Sequence, residues 1–483
     1  MNGQDWISDS KKLLLVLLAV GSLLLFVQVN APSLDSDGIH YAAVAKELAR
    51  SNRWLLPYDP VVDGHYYFHF HLSLWPTALA FKFLGVSPAT AKLFSLLMTL
   101  GAAAGLFVLG RILVSPWAGW CAGLTFFLTN HVLRIARQCR PDLPMIGFMV
   151  WAFVGLILAQ SKGRRWYLLL GLGSLGAILT KETGGLVPLV VGAAYLLIRR
   201  RWSDLFHPAF LAAWVVAIGP PVALAFIENA RYHNSLWANY HANNLFYLLA
   251  VTESLKDPWY YYGRAILDKY WYLLPLAVAG GGLAWREIRS GREPRWWIVL
   301  MWAAAFPIGF SFARHKMYYY ILPSYAATAL LVGLCGDRWM KEAHRLALWR
   351  GVVGLAMAGA VGMLIFPKAL HKTRYADNIR IAPQIDALVA ASPGEVIVAR
   401  QDVASLLFYC NEVTRITTAH EEEKFQRLLS TPDGKRRWCL IGKKDWQLVD
   451  PEARRRWKTL LDDGTRLFLT EEPVGPASGT DLP

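Results

Sequence analysis

Residues 11–37 read KKLLLVLLAVGSLLLFVQVNAPSLDSD, which is a basic pair, a long apolar run and then two aspartates. The apolar run, 13–29, approaches the ~20 residues that a helix needs to cross the hydrocarbon core of a bilayer. Its basic flank is also typical of a signal peptide, but no small-residue cleavage signal follows it and further apolar runs do. We therefore interpret it as a retained first membrane helix.

The composition of the 483 residues agrees with a membrane protein, since hydrophobic residues make up 55% and charged residues only 18%. That is too apolar for an ordinary soluble domain. The formal net charge of +15 would suit a nucleic-acid-binding protein, but the basic residues cluster between apolar runs. Such clustering follows the positive-inside rule for cytoplasmic loops.

About eleven apolar runs predict a polytopic α-helical membrane protein. The predicted spans are 13–29, 89–113, 117–135, 143–161, 166–180, 184–198, 208–227, 271–285, 296–311, 318–335 and 351–367. If the N-terminus is cytoplasmic, almost every tight basic cluster falls on the cytoplasmic side, which supports that orientation. Residues 38–50 and 71–84 are too short to cross and predict helices that lie at the interface.

The C-terminal residues have a different pattern. Short strands are predicted at 395–399, 413–418, 438–441 and 466–470, alternating with helices near 381–391, 401–409, 420–430 and 451–461. This alternation predicts a small extracytoplasmic α/β domain. We expect a membrane domain, 1–370, with an outer-face loop, 30–88, and an α/β domain, 371–483. Cys410 and Cys439 lie in the second domain, and two cysteines alone leave a disulfide between them open.

The outer-face loop contains the first candidate functional residues. Asp35 and Asp37 form an Asp-X-Asp triplet just beyond the first span, and carboxylates at that depth are costly unless they are solvated or paired. A solvated surface carboxylate explains a single loop acid more often than catalysis does. Here Tyr41 and the aromatic–histidine stretch 66–71, YYFHFH, follow the triplet. The presence of these aromatic and histidine residues close to the two aspartates favours a reaction site.

Further motifs follow in order along the chain. The set is Asp37-X-X-X-Tyr41-Ala42; Tyr66-Tyr67-Phe68-His69 running into Leu72-Ser73-Leu74-Trp75; Arg140-Pro141-Asp142-Leu143-Pro144; Leu179-Thr180-Lys181-Glu182; and His315-Lys316 before Tyr320-Ile321-Leu322-Pro323. Together these motifs resemble those of membrane glycosyltransferases with the GT-C fold. The resemblance is strongest to the superfamily of protein O-mannosyltransferases and aminoarabinose (lipid A) transferases, and it covers roughly residues 10–370.

This resemblance implies a sugar donor carried on polyprenyl phosphate, transfer on the outer face, and an essential acid in the first outer loop, which here is Asp37. Two positions depart from the pattern. Gly38 stands where several relatives have a second acidic residue. His69-Phe70-His71 replaces the Lys-Pro-Pro of the aminoarabinose transferases, which weakens any transfer of their particular substrate to this chain.

The residue types suit such a reaction. A positioned base such as Asp37 can accept the proton of an attacking hydroxyl, typically worth ~10²–10⁴-fold, and cations at the same face stabilise the departing phosphate. We assign catalysis to Asp37 and Asp142; donor-phosphate binding to Lys181, Arg314, Lys316 and His69; and acceptor or sugar binding to Asp35, Tyr41, Tyr67 and His71. The simpler alternatives are helix capping by Asp142 and snorkelling of the cations at span ends.

No cofactor is required by this chemistry, but a divalent metal remains open. Asp-X-Asp motifs bind such ions in some sugar transferases, so Asp35 and Asp37 are candidate ligands. The histidines at 65, 69 and 71 are a second candidate set, although they lack a partner cluster with metal-type spacing.

The sequence thus predicts a glycosyltransferase of the bacterial inner membrane, inverting if one direct displacement occurs. Its N-terminus would be cytoplasmic and its C-terminal domain extracytoplasmic. The expected partners are a polyprenyl-phosphate sugar, membrane lipids and a lipid, glycan or protein acceptor, with lipid A modification as one example and no nucleic acid. The alternative class is a transporter or flippase of a polar or lipid-linked solute. Transporters often have repeated halves and mid-span charges, whereas the ionisable residues here gather on one face.

Overall fold

The chain forms two compact units in a computed structural model that describes residues 9–232, 257–365, 375–399, 403–413, 416–419, 427–430 and 436–471. The membrane unit comprises Met1–Ser33 and Tyr67–Lys372, and the sheet unit comprises Leu34–Tyr66 and Thr373–Pro483. The acid-bearing stretch therefore groups with the C-terminal residues. The division into domains at residue 370, expected from the sequence, remains a prediction.

The membrane unit is built from helices. Its described α-helices are Ser10–Phe26, Trp75–Leu84, Pro88–Leu113, Pro116–Leu128, Asn130–Ala136, Asp142–Lys162, Tyr167–Thr180, Glu182–Gly185, Val187–Ile198, Trp202–Leu205, Pro208–Tyr232, Tyr261–Tyr270, Leu274–Arg289, Trp296–Ser311, Leu322–Trp339 and Glu342–Ile365. Short 3₁₀ turns lie at His71–Ser73, Arg164–Trp166 and Tyr318–Ile321. Each of the predicted apolar runs is helical over most of its length, although the run 117–135 is divided at Thr129.

Five of the described helices are long and apolar enough to cross a membrane. They are Pro88–Leu113, Asp142–Lys162, Pro208–Arg231, Tyr318–Trp339 and His344–Ile365. Val187–Ile198 and Trp296–Ser311 are shorter apolar helices. Because short helices cross a bilayer only when their ends are accommodated by flanking residues, length does not settle their placement, and the count of eleven crossings remains a prediction.

Close helix packing depends on small residues at the crossing of Pro88–Leu113 with Pro116–Leu128. The second helix starts at the N-cap Ser115, whose side chain accepts a hydrogen bond from a backbone N–H of the first turn. A Cβ atom added to Gly119 would lie 2.3 Å from the carbonyl oxygen of Phe107. Glycine is therefore required there, as is common where membrane helices approach closely.

The sheet unit contains a five-stranded mixed sheet. Its strands, in spatial order, are Ile416–Ala419, Glu395–Ala399, Arg437–Gly442, Arg466–Glu471 and Trp457–Asp462. The first three run parallel, and the last two are antiparallel to their neighbours. The helices of this unit are Ser36–Ser51, Ala376–Ala391, Val403–Tyr409, Lys443–Trp446 and Pro451–Arg455, and a small hairpin pairs Tyr58–Asp59 with Gly64–His65.

The prediction of a helix at 451–461 is wrong for the second half of this range. The helix ends at Arg455, and Trp457–Asp462 is an edge strand. It pairs with Arg466–Glu471 across a turn in which Gly464 has a φ of +94°. Asp-Gly is a strong hairpin signal, because glycine adopts this backbone region without strain. Of the predicted strand at 413–418, residues 416–418 lie in the strand Ile416–Ala419, and residues 414–415 lie outside the described residues. Most of the predicted helix 420–430 also lies outside them.

The cysteines of the sheet unit are not paired. Cys410 and Cys439 are both free and fully buried. Cys410 packs in one apolar cluster with Ile381 and Leu406, whereas Cys439 packs in another with Leu469. Burial raises the pKa of the Cys410 thiol to about 12 and raises that of Cys439 as well. Both thiols are therefore packing residues in this structure.

Candidate active site

A buried cluster of one carboxylate and two cationic side chains lies in the membrane unit. It consists of Asp142, Arg140 and Lys181, and we call it the Asp142 cluster. Arg140 Nε donates to Asp142 Oδ2 at 3.1 Å, and Lys181 Nζ donates to Asp142 Oδ1 at 2.7 Å. The Asp142 side chain is 3% exposed. The N-cap of its helix is Pro141, without a side-chain cap bond. Capping is therefore not what engages the oxygens of Asp142.

The Asp142 cluster keeps a net positive charge, because two cations face one carboxylate. The Lys181 side chain is 18% exposed and the Arg140 side chain 6%. Each of these cations lies beside a tyrosine ring. Arg140 lies 4.3 Å from the ring centroid of Tyr319, and Lys181 Nζ lies 5.5 Å from that of Tyr320. Ring faces attract cations at such distances. The arrangement suits an anion that reaches Lys181.

A small, open cleft lies at this cluster. Its lining is mainly apolar and aromatic and includes Asp142, Lys181, Phe306, Phe310, Tyr319 and Tyr320. A mostly apolar cavity with a few convergent polar groups is the usual form of a small-molecule site. Here the polar groups sit together on one side, which suits an amphipathic ligand.

Glu182 connects the cluster to the histidine stretch. Its carboxylate accepts a hydrogen bond from the backbone N–H of Phe70 at 2.6 Å and lies 3.2 Å from His69 Nδ1. Lys181 has extended backbone, so the adjacent side chains of Lys181 and Glu182 reach different partners. The Leu179–Glu182 motif therefore fixes Asp142 on one helix and His69 on another segment. His69 stays a prediction as a phosphate ligand.

His71 turns inward instead of facing the cleft. Its Nδ1 lies 3.7 Å from Oε1 of Glu228, and both side chains are almost completely buried. Burial lowers the pKa of His71 to about 4, so its imidazole is neutral at pH 7. His71, which was predicted to bind the acceptor or the sugar, thus has a buried side chain in this structure. Tyr67, which shares that assignment, is half-buried.

The two predicted phosphate ligands near residue 315 differ from each other. Lys316 is 4% exposed, and its Nζ donates to the carbonyl oxygens of Ala313 at 2.5 Å and Asp257 at 3.1 Å. The Asp257 carboxylate also accepts from the backbone N–H of Lys316 at 2.8 Å. Lys316 therefore secures this loop, whereas Arg314 is exposed. Both roles remain predictions.

Cations also hold the chain that leads from the first helix toward the two aspartates. Arg137 donates to the carbonyl oxygen of Val27 at 2.7 Å, and Lys92 donates to those of Val29 at 2.9 Å and Ala31 at 2.6 Å. Carbonyls beyond a helix C-terminus lack partners within the helix and favour such cationic donors. The segment before the acids is therefore anchored within the membrane unit.

The remaining predicted residues lie on the helix Ser36–Ser51 of the sheet unit, which we call the acid helix. Asp35 is its N-cap and accepts from the Gly38 N–H at 2.7 Å. Asp37 lies in the first turn and is half-buried. A carboxylate at this end is stabilised by the helix dipole. The Tyr41 ring lies edge-on to that of Tyr66 at 6.3 Å.

The metal alternative gains no support from side-chain grouping in the described part of the chain. No group of three or more His, Cys, Asp or Glu side chains that could hold a metal ion occurs among those residues. His69 and His71 each face a glutamate, and His65 is exposed on the small hairpin. Asp35 is engaged as a helix cap.

The sequence analysis assigned no role to three residues that make contacts at or near the site, namely Glu182, Tyr319 and Glu228. Glu228 left a usable signal, because it directly follows the apolar run 208–227, and an ionisable residue at a span boundary is a functional candidate. Tyr319 left none, since interfacial tyrosines are mostly anchors. Its place beside Arg140 depends on helix packing.

Comparison with known proteins places these features in context. Residues 71–224 match the family described as dolichyl-phosphate-mannose-protein mannosyltransferase. The undecaprenyl phosphate-alpha-4-amino-4-deoxy-L-arabinose arabinosyl transferase of Shewanella sediminis is 24% identical over 61% of this chain and 54% of that protein. The transferase of the same name from Aeromonas salmonicida is 25% identical over 69% of this chain and 62% of that protein. The chain thus spans less than two-thirds of these relatives.

Solved structures define the class of fold. AglB, the archaeal oligosaccharyltransferase from Archaeoglobus fulgidus, matches with a TM-score of 0.52 at 12% identity, covering 98% of this chain and 75% of that chain. ArnT from Cupriavidus metallidurans bound to undecaprenyl phosphate matches with a TM-score of 0.74 at 17% identity, covering 94% and 97%. The chain therefore has the GT-C membrane fold. Within that class it is similar to ArnT, which confirms the resemblance inferred from the motifs.

Proposed function

We propose that this protein is an integral-membrane glycosyltransferase that moves a sugar from a polyprenyl-phosphate carrier to an acceptor outside the cytoplasm. The observation that carries the proposal is the Asp142 cluster, which places net positive charge at one side of an aromatic, apolar cleft. A polyprenyl phosphate has the matching chemistry, an anionic head on a hydrocarbon chain. Preorganised cations are the usual means of stabilising a departing phosphate.

The names of similar proteins support the donor class. The curated relatives are transferases of an aminoarabinose carried on undecaprenyl phosphate, and the ArnT structure was solved with undecaprenyl phosphate bound. The relatives are only partly covered, so the sugar remains unassigned. We propose a lipid, glycan or protein acceptor, with lipid A as the candidate that the ArnT likeness favours.

The proposed chemistry divides the work among separate residues. An acceptor hydroxyl oxygen attacks the anomeric carbon, its proton passes to the Asp37 carboxylate, and the bond from that carbon to the phosphate oxygen breaks. Lys181 and Arg140 balance the charge on the released phosphate. One displacement of this kind inverts the anomeric centre. Asp142 orients the two cations, because both of its oxygens are engaged.

The placement in the membrane is also part of the proposal. We propose about eleven crossings, a cytoplasmic N-terminus and an extracytoplasmic α/β domain in a bacterial inner membrane. The positive-inside distribution of basic residues supports the orientation. The five-stranded sheet with its surrounding helices supports a separate α/β domain.

The direct test uses purified full-length protein in lipid vesicles that contain a synthetic undecaprenyl-phosphate sugar with a radiolabel in the sugar. Aminoarabinose, mannose and galactose donors are compared, with lipid A as acceptor and the released label measured against vesicles without protein. Protein-dependent transfer from one of these donors is expected. Movement of the intact labelled donor between leaflets without cleavage would support the flippase alternative and overturn the proposal.

A further inference from the structure

The acid helix shares a hydrophobic core with the C-terminal residues. Ala43 is 2% exposed, and it belongs to one buried cluster with Ile381, Ile385, Leu406, Leu407 and Cys410. The first two partners lie on the helix Ala376–Ala391, the next two lie on the helix Val403–Tyr409, and Cys410 directly follows that helix. The helix that carries the proposed base is thus a structural part of the sheet unit.

Lys46 adds polar contacts to this apolar packing between the acid helix and the C-terminal residues. It lies on the acid helix and is only 2% exposed. Its Nζ donates to the carbonyl oxygens of Leu407 at 2.9 Å, Phe408 at 2.9 Å and Cys410 at 2.5 Å. The last carbonyls of a helix carry partial negative charge and lack partners within the helix, so an ammonium group suits this position.

The loop that follows the carbonyl partners of Lys46 is itself fixed. The Asp386 carboxylate accepts hydrogen bonds from the backbone N–H groups of Asn411 at 2.7 Å and Glu412 at 2.9 Å. Arg50, one turn beyond Lys46, donates to the carbonyl oxygen of Asn411. Lys46 therefore binds the C-terminal end of the helix Val403–Tyr409, and Arg50 binds the loop that follows it, which Asp386 holds independently.

We propose that Lys46 is a positioning residue for the transfer reaction, because it fixes the acid helix, and with it Asp37, on the sheet unit. The two residues are nine positions apart, about 14 Å along one continuous helix at 1.5 Å per residue. The C-terminal residues then act in catalysis by holding the base in place. This inference rests on the proposed function and extends it to a part of the chain without catalytic groups of its own.

The test compares full-length wild type with Lys46→Met in the transfer assay. Lys46→Met keeps the length of the side chain and removes the three hydrogen bonds. We expect kcat to fall by on the order of 10–100-fold, as small displacements of a catalytic group do, while the KM for donor stays within about twofold. Glu47→Gln, the next residue on the same helix, is the matched control and should keep the wild-type kcat.

A second readout follows attachment of the helix without any turnover. Cys410 is fully buried in the shared core, so its modification by a maleimide reports opening of this contact. Lys46→Met should accelerate labelling of Cys410, measured by peptide mass spectrometry, at least tenfold over Glu47→Gln. Unchanged labelling together with unchanged kcat would overturn the inference.

Two outcomes separate this inference from the proposed function. If the wild type transfers no sugar, the proposed function fails, while Cys410 labelling still tests the attachment. If Lys46→Met does not fold, Arg50→Ala weakens the same contact more mildly, and it should lower kcat with unchanged donor KM. An Arg50→Ala protein with the wild-type kcat and labelling rate would then overturn the role given to this contact.

Discussion

Asp142 and Asp37 are the two acids to which the sequence analysis assigns catalysis, and their surroundings in the folded protein differ sharply. Asp142 is buried between Arg140 and Lys181, with both oxygens engaged. Asp37 is half-buried in the first turn of the acid helix. A carboxylate held by two cations is a poor proton acceptor, since protonation would leave two buried charges without their partner. The comparison teaches that two acids chosen from similar motifs can have very different surroundings, and these surroundings are why we propose different roles for them.

The largest expected effect comes from Asp37→Asn. The substitution keeps the shape of the side chain and removes the proposed base, so kcat should fall by about 10²–10⁴-fold with little change in the KM for donor. The measurement is sugar transfer by purified protein at matched folded concentration. Asp63→Asn is the control, because Asp63 is exposed with a φ of +53°, a conformation that asparagine tolerates. Equal activity of Asp37→Asn and the wild type would remove Asp37 from the mechanism.

Asp142→Asn should act first on stability. Removing one member of a buried ion cluster typically costs ~3–5 kcal/mol, because the remaining charges stay buried and unpaired. A lower midpoint of thermal unfolding in detergent is expected, with transfer per folded molecule reduced less than by Asp37→Asn. A fully stable Asp142→Asn protein that is as inactive as Asp37→Asn would reverse the two roles.

Lys181→Met should weaken donor binding and also lower kcat, because the same cation is proposed to stabilise the departing phosphate. A charge-assisted hydrogen bond contributes ~1.5–3 kcal/mol, so the KM for donor should rise about 10–100-fold. Lys82→Met, at an exposed lysine of the helix Trp75–Leu84, is the control and should bind donor normally. The double variant with Asp142→Asn should show a strongly non-additive effect on stability, as expected for groups in contact. Additive effects would argue against the pairing.

The smallest expected effect is the pH dependence of helix attachment. Burial, followed by the nearby charge of Arg50, lowers the pKa of Lys46 from 10.5 to about 8, while Asp386 and Cys410 also face it. Below pH 8 both the attached and the detached helix carry the protonated lysine. Between pH 8 and 9 only the detached helix keeps the lysine proton, so attachment becomes more stable as pH rises. Above pH 9 the thiol of Cys410 opposes this gain, because burial raises its pKa from 9.0 to about 12 only while the helix is attached. Opening measured by Cys410 labelling, corrected for thiolate reactivity, should therefore decrease between pH 8 and 9 for wild type and not for Lys46→Met.

The helices of the membrane unit were predictable because long apolar runs leave few alternatives to a helix in a bilayer. The strand Trp457–Asp462 was missed because WKTLLD lacks regular alternation, although Asp463-Gly464 marked the turn that follows it. Individual site residues such as Asp142 and Lys181 could be chosen from motifs. Their pairing, and the approach of Glu228 to His71, depend on packing between segments far apart in sequence.

The attachment of Lys46 also dictates an order of events during synthesis. Lys46 and Cys410 are separated by 364 positions, so at 5–20 residues per second the acid helix waits roughly 20–70 s for its partner to be made. Until then Ala43 and the lysine ammonium have no core to enter. The acid helix is therefore made well before the residues that bind it, and it reaches its final environment only after they have left the ribosome.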